Sequence, residues 1–100
     1  MTNEFKEYYK LFVDTWGEDA QITQAIEEMS ELTKELCKLR RYVNNTEKQA
    51  KIKEDVIEEI ADVINMAEQL AFIFGEDKVK EIRNKKIKRT VDEIIKGGSK

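Results

Sequence analysis

The sequence predicts an all-α protein, a four-helix-type bundle that is expected to be oligomeric. The chain contains no proline and only four glycines, so few residues would interrupt long helices. Apolar residues recur at helical spacing in four consecutive segments. The apolar fraction is 40%, below the share of about 45–50% that is usual for globular domains. A core shared between copies of the chain is therefore expected.

A chain of 100 residues predicts a single domain spanning 1–100. Histidine is absent, which excludes Ser-His-Asp and Cys-His catalysis. Any metal site must therefore be built from oxygen ligands, which Mg²⁺, Mn²⁺ and Ca²⁺ prefer. The single Cys37 cannot form an intrachain disulfide and is interpreted as an inert buried thiol. Neither a signal peptide nor a membrane-spanning apolar run is apparent, so we expect a cytoplasmic protein without membrane contact.

The first two predicted helices are separated by a glycine. A short N-terminal helix spans about residues 3–15, carries aromatic residues at helical spacing and ends near Trp16-Gly17. The second helix runs from about Asp19 to Tyr42, with one apolar stripe extending from Ile22 to Val43.

A turn at Asn44-Asn45 separates the second helix from a long third one, which predicts a helical hairpin. Thr46 and Gln49 match a capping box for the start of the third helix, which runs from about Glu47 to Phe74. Its apolar residues cover an arc wider than one face requires, so this helix is expected to be covered on more than one side.

The fourth, C-terminal helix is predicted at about residues 78–96. Gly75 is a suitable C-cap for the third helix, and Asp77 is a candidate N-cap for the fourth. The pair Gly97-Gly98 is expected to end it.

Charge is distributed unevenly along the chain. Residues 1–77 hold 9 basic and 18 acidic side chains, a net of −9, whereas residues 78–100 hold 9 basic and 3 acidic, a net of +6. The basic segment could bind nucleic acid, complement an acidic site that handles phosphates, or simply form a solvated helix face. The overall charge of −3 and the lack of aromatic residues among the basic ones disfavour nucleic acid.

Two acidic pairs stand inside the central helices, Glu28-x-x-Glu31 and Glu59-x-x-Asp62. With 21 acidic residues, about four such pairs are expected by chance, and most would be solvated. Both pairs touch the apolar border, however, and Glu59 projects inward, where an unpaired carboxylate costs several kcal/mol. In an antiparallel hairpin the two pairs lie opposite each other. The residues alone leave protonation and divalent-cation binding as equal alternatives.

The runs Glu27–Leu32 and Glu58–Val63 resemble the E-x-x-E, spacer, E-x-x-D motif of the MazG-like family of all-α nucleoside triphosphate pyrophosphohydrolases. The 27 residues between Glu31 and Glu59 fit the spacer. Three flanking stretches are similar to the short, phage-type branch of this family: Trp16–Gln21, Glu68–Leu70 and Lys86–Arg89.

This resemblance implies a helical bundle that forms a homodimer or homotetramer. It implies Mg²⁺, with Mn²⁺ as a substitute, held by the catalytic carboxylates of Glu28, Glu31, Glu59 and Asp62. The alternative is that three of them hold the cation and the fourth, which the sequence does not identify, is the base. The implied reaction cleaves a (d)NTP between its α- and β-phosphates to give a (d)NMP and pyrophosphate. The alternative function is a catalytically silent interaction or nucleotide-binding bundle of the same fold.

Several further residues are candidates for contacts with the nucleotide. Basic side chains would bind phosphates, the tryptophan would stack on a base, and the glutamine would contact base or sugar. The ordinary alternatives are surface charge, a core tryptophan and a solvent-facing glutamine. These candidates are Lys34, Lys38, Lys86, Arg89, Trp16 and Gln21.

Overall fold

The computed structural model describes residues 5–97 and contains four α-helices and no strand within that range. The predicted all-α class is confirmed, and the ends of the four predicted helices move by three residues or fewer. Residues 3, 4 and 98 of the predicted elements lie outside the described range. The helices are α1 (Lys6–Trp16), α2 (Glu18–Arg41), α3 (Thr46–Phe74) and α4 (Glu76–Ile95).

Helix α1 ends at Gly17, as predicted. This glycine has φ of +88°, which an L side chain rarely adopts, and its N–H donates to the carbonyl of Val13 at 2.7 Å. Helix α1 is held by Tyr9, which is buried, packs near Phe72 and donates its hydroxyl proton to the carboxylate of Glu68. Both partners lie on α3, so α1 is attached to the hairpin.

The turn between α2 and α3 uses a different cap from the predicted one. Asn45 is the N-cap of α3, and its Oδ1 accepts from the backbone N–H of Lys48 at 3.0 Å. The predicted capping box of Thr46 and Gln49 is wrong because the side chain of Gln49 reaches across the turn. Its Nε2 donates to carbonyls at the end of α2, those of Leu39 at 2.7 Å and Tyr42 at 3.0 Å. Gln49 therefore satisfies the Leu39 carbonyl, which the end of α2 leaves open, and is a second donor to the Tyr42 carbonyl, which also accepts from the N–H of Asn45 at 3.0 Å.

One glycine both ends α3 and begins α4. Gly75 has φ of +130°, and its N–H donates to the carbonyl of Ala71 at 2.8 Å, which confirms the predicted C-cap. Because α4 starts at once with Glu76, Asp77 lies in its first turn, and its prediction as the N-cap is wrong. Helix α4 ends at Ile95.

The packed part of the chain is the α2–α3 hairpin, with α1 against both of its helices. Helix α4 contacts only α3 among the other helices and contains no buried residue. The Cα radius of gyration is 17.0 Å, well above the value of about 13 Å expected for a compact domain of 100 residues. The core is correspondingly thin, and its buried apolar residues are Tyr9, Ala25, Ile52, Val56, Met66 and Ala71.

Helix α2 packs with a face shifted from the predicted apolar stripe towards its acidic border, the edge of the stripe that carries Gln21, Glu28 and Glu35. Ile26, Met29 and Leu36 belong to that stripe and are exposed, whereas Gln21 and Glu35 are buried. Because of this shift, the side chain of Glu28 points towards the interface between α2 and α3. Cys37 is left exposed, so the prediction of a buried thiol is wrong. Within residues 5–97, none of the helices combines the length and apolarity that a membrane span requires.

Candidate metal centre

Three carboxylates from the two hairpin helices converge. Glu59 and Asp62 are three residues apart on α3, a spacing that places both on one side of a helix, and the hairpin brings Glu28 of α2 opposite them. One carboxylate oxygen from each lies within 4.8 Å of the others. We call this cluster the carboxylate trio. Glu28 and Glu59 are half-buried and Asp62 is exposed, so the trio opens to solvent on the Asp62 side.

Glu59 occupies the least solvated position of the trio. Its Oε2 is buried and has no hydrogen-bond partner among the described residues. Burial raises the pKa of Glu59, and the negative charges of Glu28, Asp62, Glu31 and Glu35 raise this pKa further. A cation bound at Oε2 would offset both effects, and carboxylate oxygens are the ligands that Mg²⁺ and Mn²⁺ prefer.

Glu28 is held in place by its own helix. The Nε2 of Gln24, one turn earlier on α2, donates to Oε1 of Glu28 at 2.8 Å. This bond restrains the carboxylate that Glu28 contributes to the trio. In the sequence, Gln24 extends the stripe of Glu28 and Glu31 and is, like Gln21, a candidate contact to base or sugar; the pattern gives no sign of this orienting contact.

Glu31, the fourth carboxylate of the motif, is placed differently. Its side chain is exposed on α2, and it is not a member of the trio. It is close enough for its charge to raise the pKa of Glu59. The structure thus gathers three of the four motif carboxylates, and a ligand role for Glu31 stays a prediction.

Glu35 is an acidic residue near the trio that the motif does not contain. It is 8% exposed, its Oε2 pairs with Lys38 at 3.3 Å, and its Oε1 is buried without a hydrogen-bond partner among the described residues. Its position seven residues after Glu28, two turns along the same face of α2, is a signal that could have identified it.

The candidate nucleotide contacts lie on three helices, α1, α2 and α4. Lys34 is exposed, and neither it nor the α4 residues Lys86 and Arg89 forms an ion pair within residues 5–97. Trp16 is 61% exposed and stacks on Phe12, with ring centroids 5.6 Å apart, so the core alternative for this tryptophan is wrong.

Gln21 is only 5% exposed, and the alternative of a solvent-facing glutamine is therefore wrong. The helical stripe of α2 could not reveal this burial, because the shift towards the acidic border depends on how α2 packs against α3. Lys38 is half-buried, and among the candidate cations it is the one that forms an ion pair within residues 5–97, with Glu35.

Comparison with known proteins found no relative of this chain. No protein-family model matches the chain, and neither curated proteins nor solved structures gave a match.

Proposed function

We propose that this protein is a Mg²⁺-dependent nucleotide pyrophosphohydrolase that cleaves a (d)NTP between its α- and β-phosphates. The observation that carries the proposal is the carboxylate trio, in which Glu59 presents a buried oxygen without a hydrogen-bond partner. The motif resemblance supports the choice of a nucleoside triphosphate as the substrate. Self-association of the chain, as homodimer or homotetramer, is part of the same proposal.

Glu28, Glu59 and Asp62 would hold the cation. The donor set fits, because all three ligands are carboxylate oxygens, which Mg²⁺ and Mn²⁺ prefer. When bound, the cation neutralises triphosphate charge, polarises the phosphoryl oxygens and activates a water for in-line attack.

The chain's own residues prepare the site before substrate arrives. Gln24 fixes the carboxylate of Glu28, so less side-chain entropy is lost when a cation binds. Hairpin packing removes water from Oε2 of Glu59, which strengthens its attraction for a cation. Asp62 lies at the exposed side, where a triphosphate would approach. Lys34 and Lys38, on the same helix as Glu28, would bind its phosphates.

The proposal is tested by measuring pyrophosphate release from a panel of NTPs and dNTPs with Mg²⁺. Wild type is expected to release pyrophosphate and a monophosphate from at least one substrate. Glu59→Gln should lower turnover by ~100-fold or more, because loss of even an indirect partner of a metal ligand typically costs 10–100-fold. Glu27→Gln, which removes an exposed carboxylate outside the trio, is the matched control and should keep wild-type turnover.

Absence of pyrophosphate release from every substrate would contradict the enzymatic proposal. If Mg²⁺ also left the melting temperature of wild type unchanged, the result would favour the silent bundle of the same fold, since a cation that binds only the folded state would have stabilised it.

A further inference from the structure

A cleft of about 510 Å³ lies between α3 and α4. Sites for small molecules commonly have volumes of about 300–1,000 Å³, so the cleft is large enough to hold one. It lies away from the carboxylate trio, because Ala71, which lines the cleft, is roughly 180° around α3 from Asp62. The proposed hydrolysis therefore makes no use of this cleft.

Part of the cleft wall is apolar and open to solvent. Ile64 and Ala67 line it from α3, and Val79 lines it from α4. Ile64 is 52% exposed and Val79 is 39% exposed, so packing within residues 5–97 leaves much of both side chains in contact with water. A flat apolar ring that enters the cleft would remove this surface from water, which is favourable.

Two cations line the α4 side of the cleft. Lys80 and Arg83 are three residues apart, a spacing that places them on one side of the helix. Neither forms an ion pair within residues 5–97, since Glu81, which lies between them in sequence, pairs with Lys78 and Lys85. An ammonium group beside a guanidinium group suits the oxygens of a phosphate.

Carboxylates also line the cleft. Glu76 and Asp77 belong to the first turn of α4, and Glu68 of α3 accepts the hydroxyl proton of Tyr9. Burial and this hydrogen bond raise the pKa of Tyr9, and the charges of Glu68 and Glu76 raise it further, so both carboxylates lie near this hydroxyl. Glu76 precedes Lys80 by one turn yet does not pair with it. The cleft thus offers an acceptor of N–H groups beside its phosphate-binding cations.

We propose that the α3–α4 cleft binds a small organic anion that combines an apolar ring, a phosphate group and an amino group. The phosphate lies on Lys80 and Arg83, the ring lies on the apolar wall, and the amino group donates to Glu76. Each part of the ligand thereby meets a group that has no partner of its kind within residues 5–97. This inference goes beyond the proposed function, because the cleft contains no residue of the trio and needs neither Mg²⁺ nor hydrolysis.

Isothermal titration calorimetry with adenosine 5′-monophosphate (AMP) tests the proposal. A chelating buffer keeps the trio free of cations, so binding through a metal does not contribute. Wild type is expected to bind AMP saturably. Inosine monophosphate lacks the amino group, adenosine lacks the phosphate, and ribose 5-phosphate lacks the ring. Each should bind ~10-fold or more weakly than AMP, because one set of contacts is lost.

Two variants locate the binding site. Lys80→Ala with Arg83→Ala removes both cations and should lower the affinity for AMP by ~10-fold or more. Ala67→Trp fills the apolar wall and should also lower it. The matched control is Lys88→Ala with Lys96→Ala, which removes two exposed cations outside the cleft and should keep wild-type affinity. Circular dichroism checks that every variant is folded.

Absence of saturable AMP binding by wild type below ~1 mM, the range of very weak complexes, would overturn the proposal. Wild-type affinity in both cleft variants, or an equal loss in the control, would overturn it as well. Equal binding of AMP and its three partial analogues would also contradict the proposed ligand. Pyrophosphate release in the presence of Mg²⁺ is a separate measurement, so failure here is distinguishable from failure of the proposed hydrolysis.

Discussion

At the scale of single residues, Glu59 determines how the candidate site responds to pH. Its pKa is raised in the folded protein, first by burial and then by neighbouring carboxylates. The folded state therefore binds this proton more tightly than the unfolded state does. As pH rises from the ordinary pKa of a glutamate to the raised folded value, the metal-free protein loses stability, and above that value the loss is complete. Divalent cations compete with the same proton, so their affinity should fall as the pH is lowered.

This linkage predicts that Glu59→Gln stabilises the metal-free protein at neutral pH. The variant should melt at a higher temperature than wild type at pH 7, because the buried oxygen no longer carries charge. The two proteins should converge below about pH 4, where a free glutamate is itself protonated. Thermal melts by circular dichroism in a chelating buffer measure the difference, with Glu27→Gln expected to follow wild type. A lower melting temperature for Glu59→Gln at pH 7 would contradict the assigned cause.

The inward position of Glu59 could be predicted because a wide apolar arc surrounds it on α3. The burial of Gln21 and Glu35 could not, since it arises from the shift of the packed face of α2 towards its acidic border. That shift exposes Ile26 and Leu36, which a stripe read from the sequence places in the core. Helical spacing identifies an apolar face, but the partner helix selects which edge of that face is covered.

At the scale of helices, the cap of α3 gives a direct test of the corrected hairpin turn. Asn45→Ala removes the side-chain acceptor of the Lys48 N–H and should lower the free energy of unfolding by about 1 kcal/mol. Thr46→Ala is the matched control and should change it by less than about 0.5 kcal/mol, since Thr46 makes no capping bond. Urea unfolding followed by circular dichroism measures both. A larger loss for Thr46→Ala would restore the capping box predicted from the sequence.

The number, order and ends of the helices could be predicted because local chemistry marks them. Gly17 and Gly75 adopt positive φ where helices end, and the Asn44-Asn45 turn separates the hairpin helices. The course of α4 could not be predicted, because its apolar stripe indicates that a partner exists without specifying which surface provides it. Among residues 5–97 that partner is α3 alone, and the cleft between the two helices is lined no further along α4 than Asn84.

At the scale of the whole molecule, the distribution of apolar side chains favours a shared core. Eighteen large apolar residues are exposed among the described ones, whereas only six apolar residues are buried. The low apolar fraction predicted a core completed by other copies, and the exposed apolar residues of α3 and α4 are where such copies would pack. The excess negative charge of residues 1–77 and the positive charge of 78–100 fit contact between copies.

The central claim is that the carboxylate trio binds a divalent cation, and a direct binding measurement tests it. Titration of Mn²⁺, followed by electron paramagnetic resonance, should show a saturable site in wild type and in the control Glu27→Gln. In Glu59→Gln the affinity should fall by ~100-fold or more, because a ligand oxygen is replaced in the trio. Absence of saturable Mn²⁺ binding in wild type, or equal affinity in Glu59→Gln, would contradict the claim.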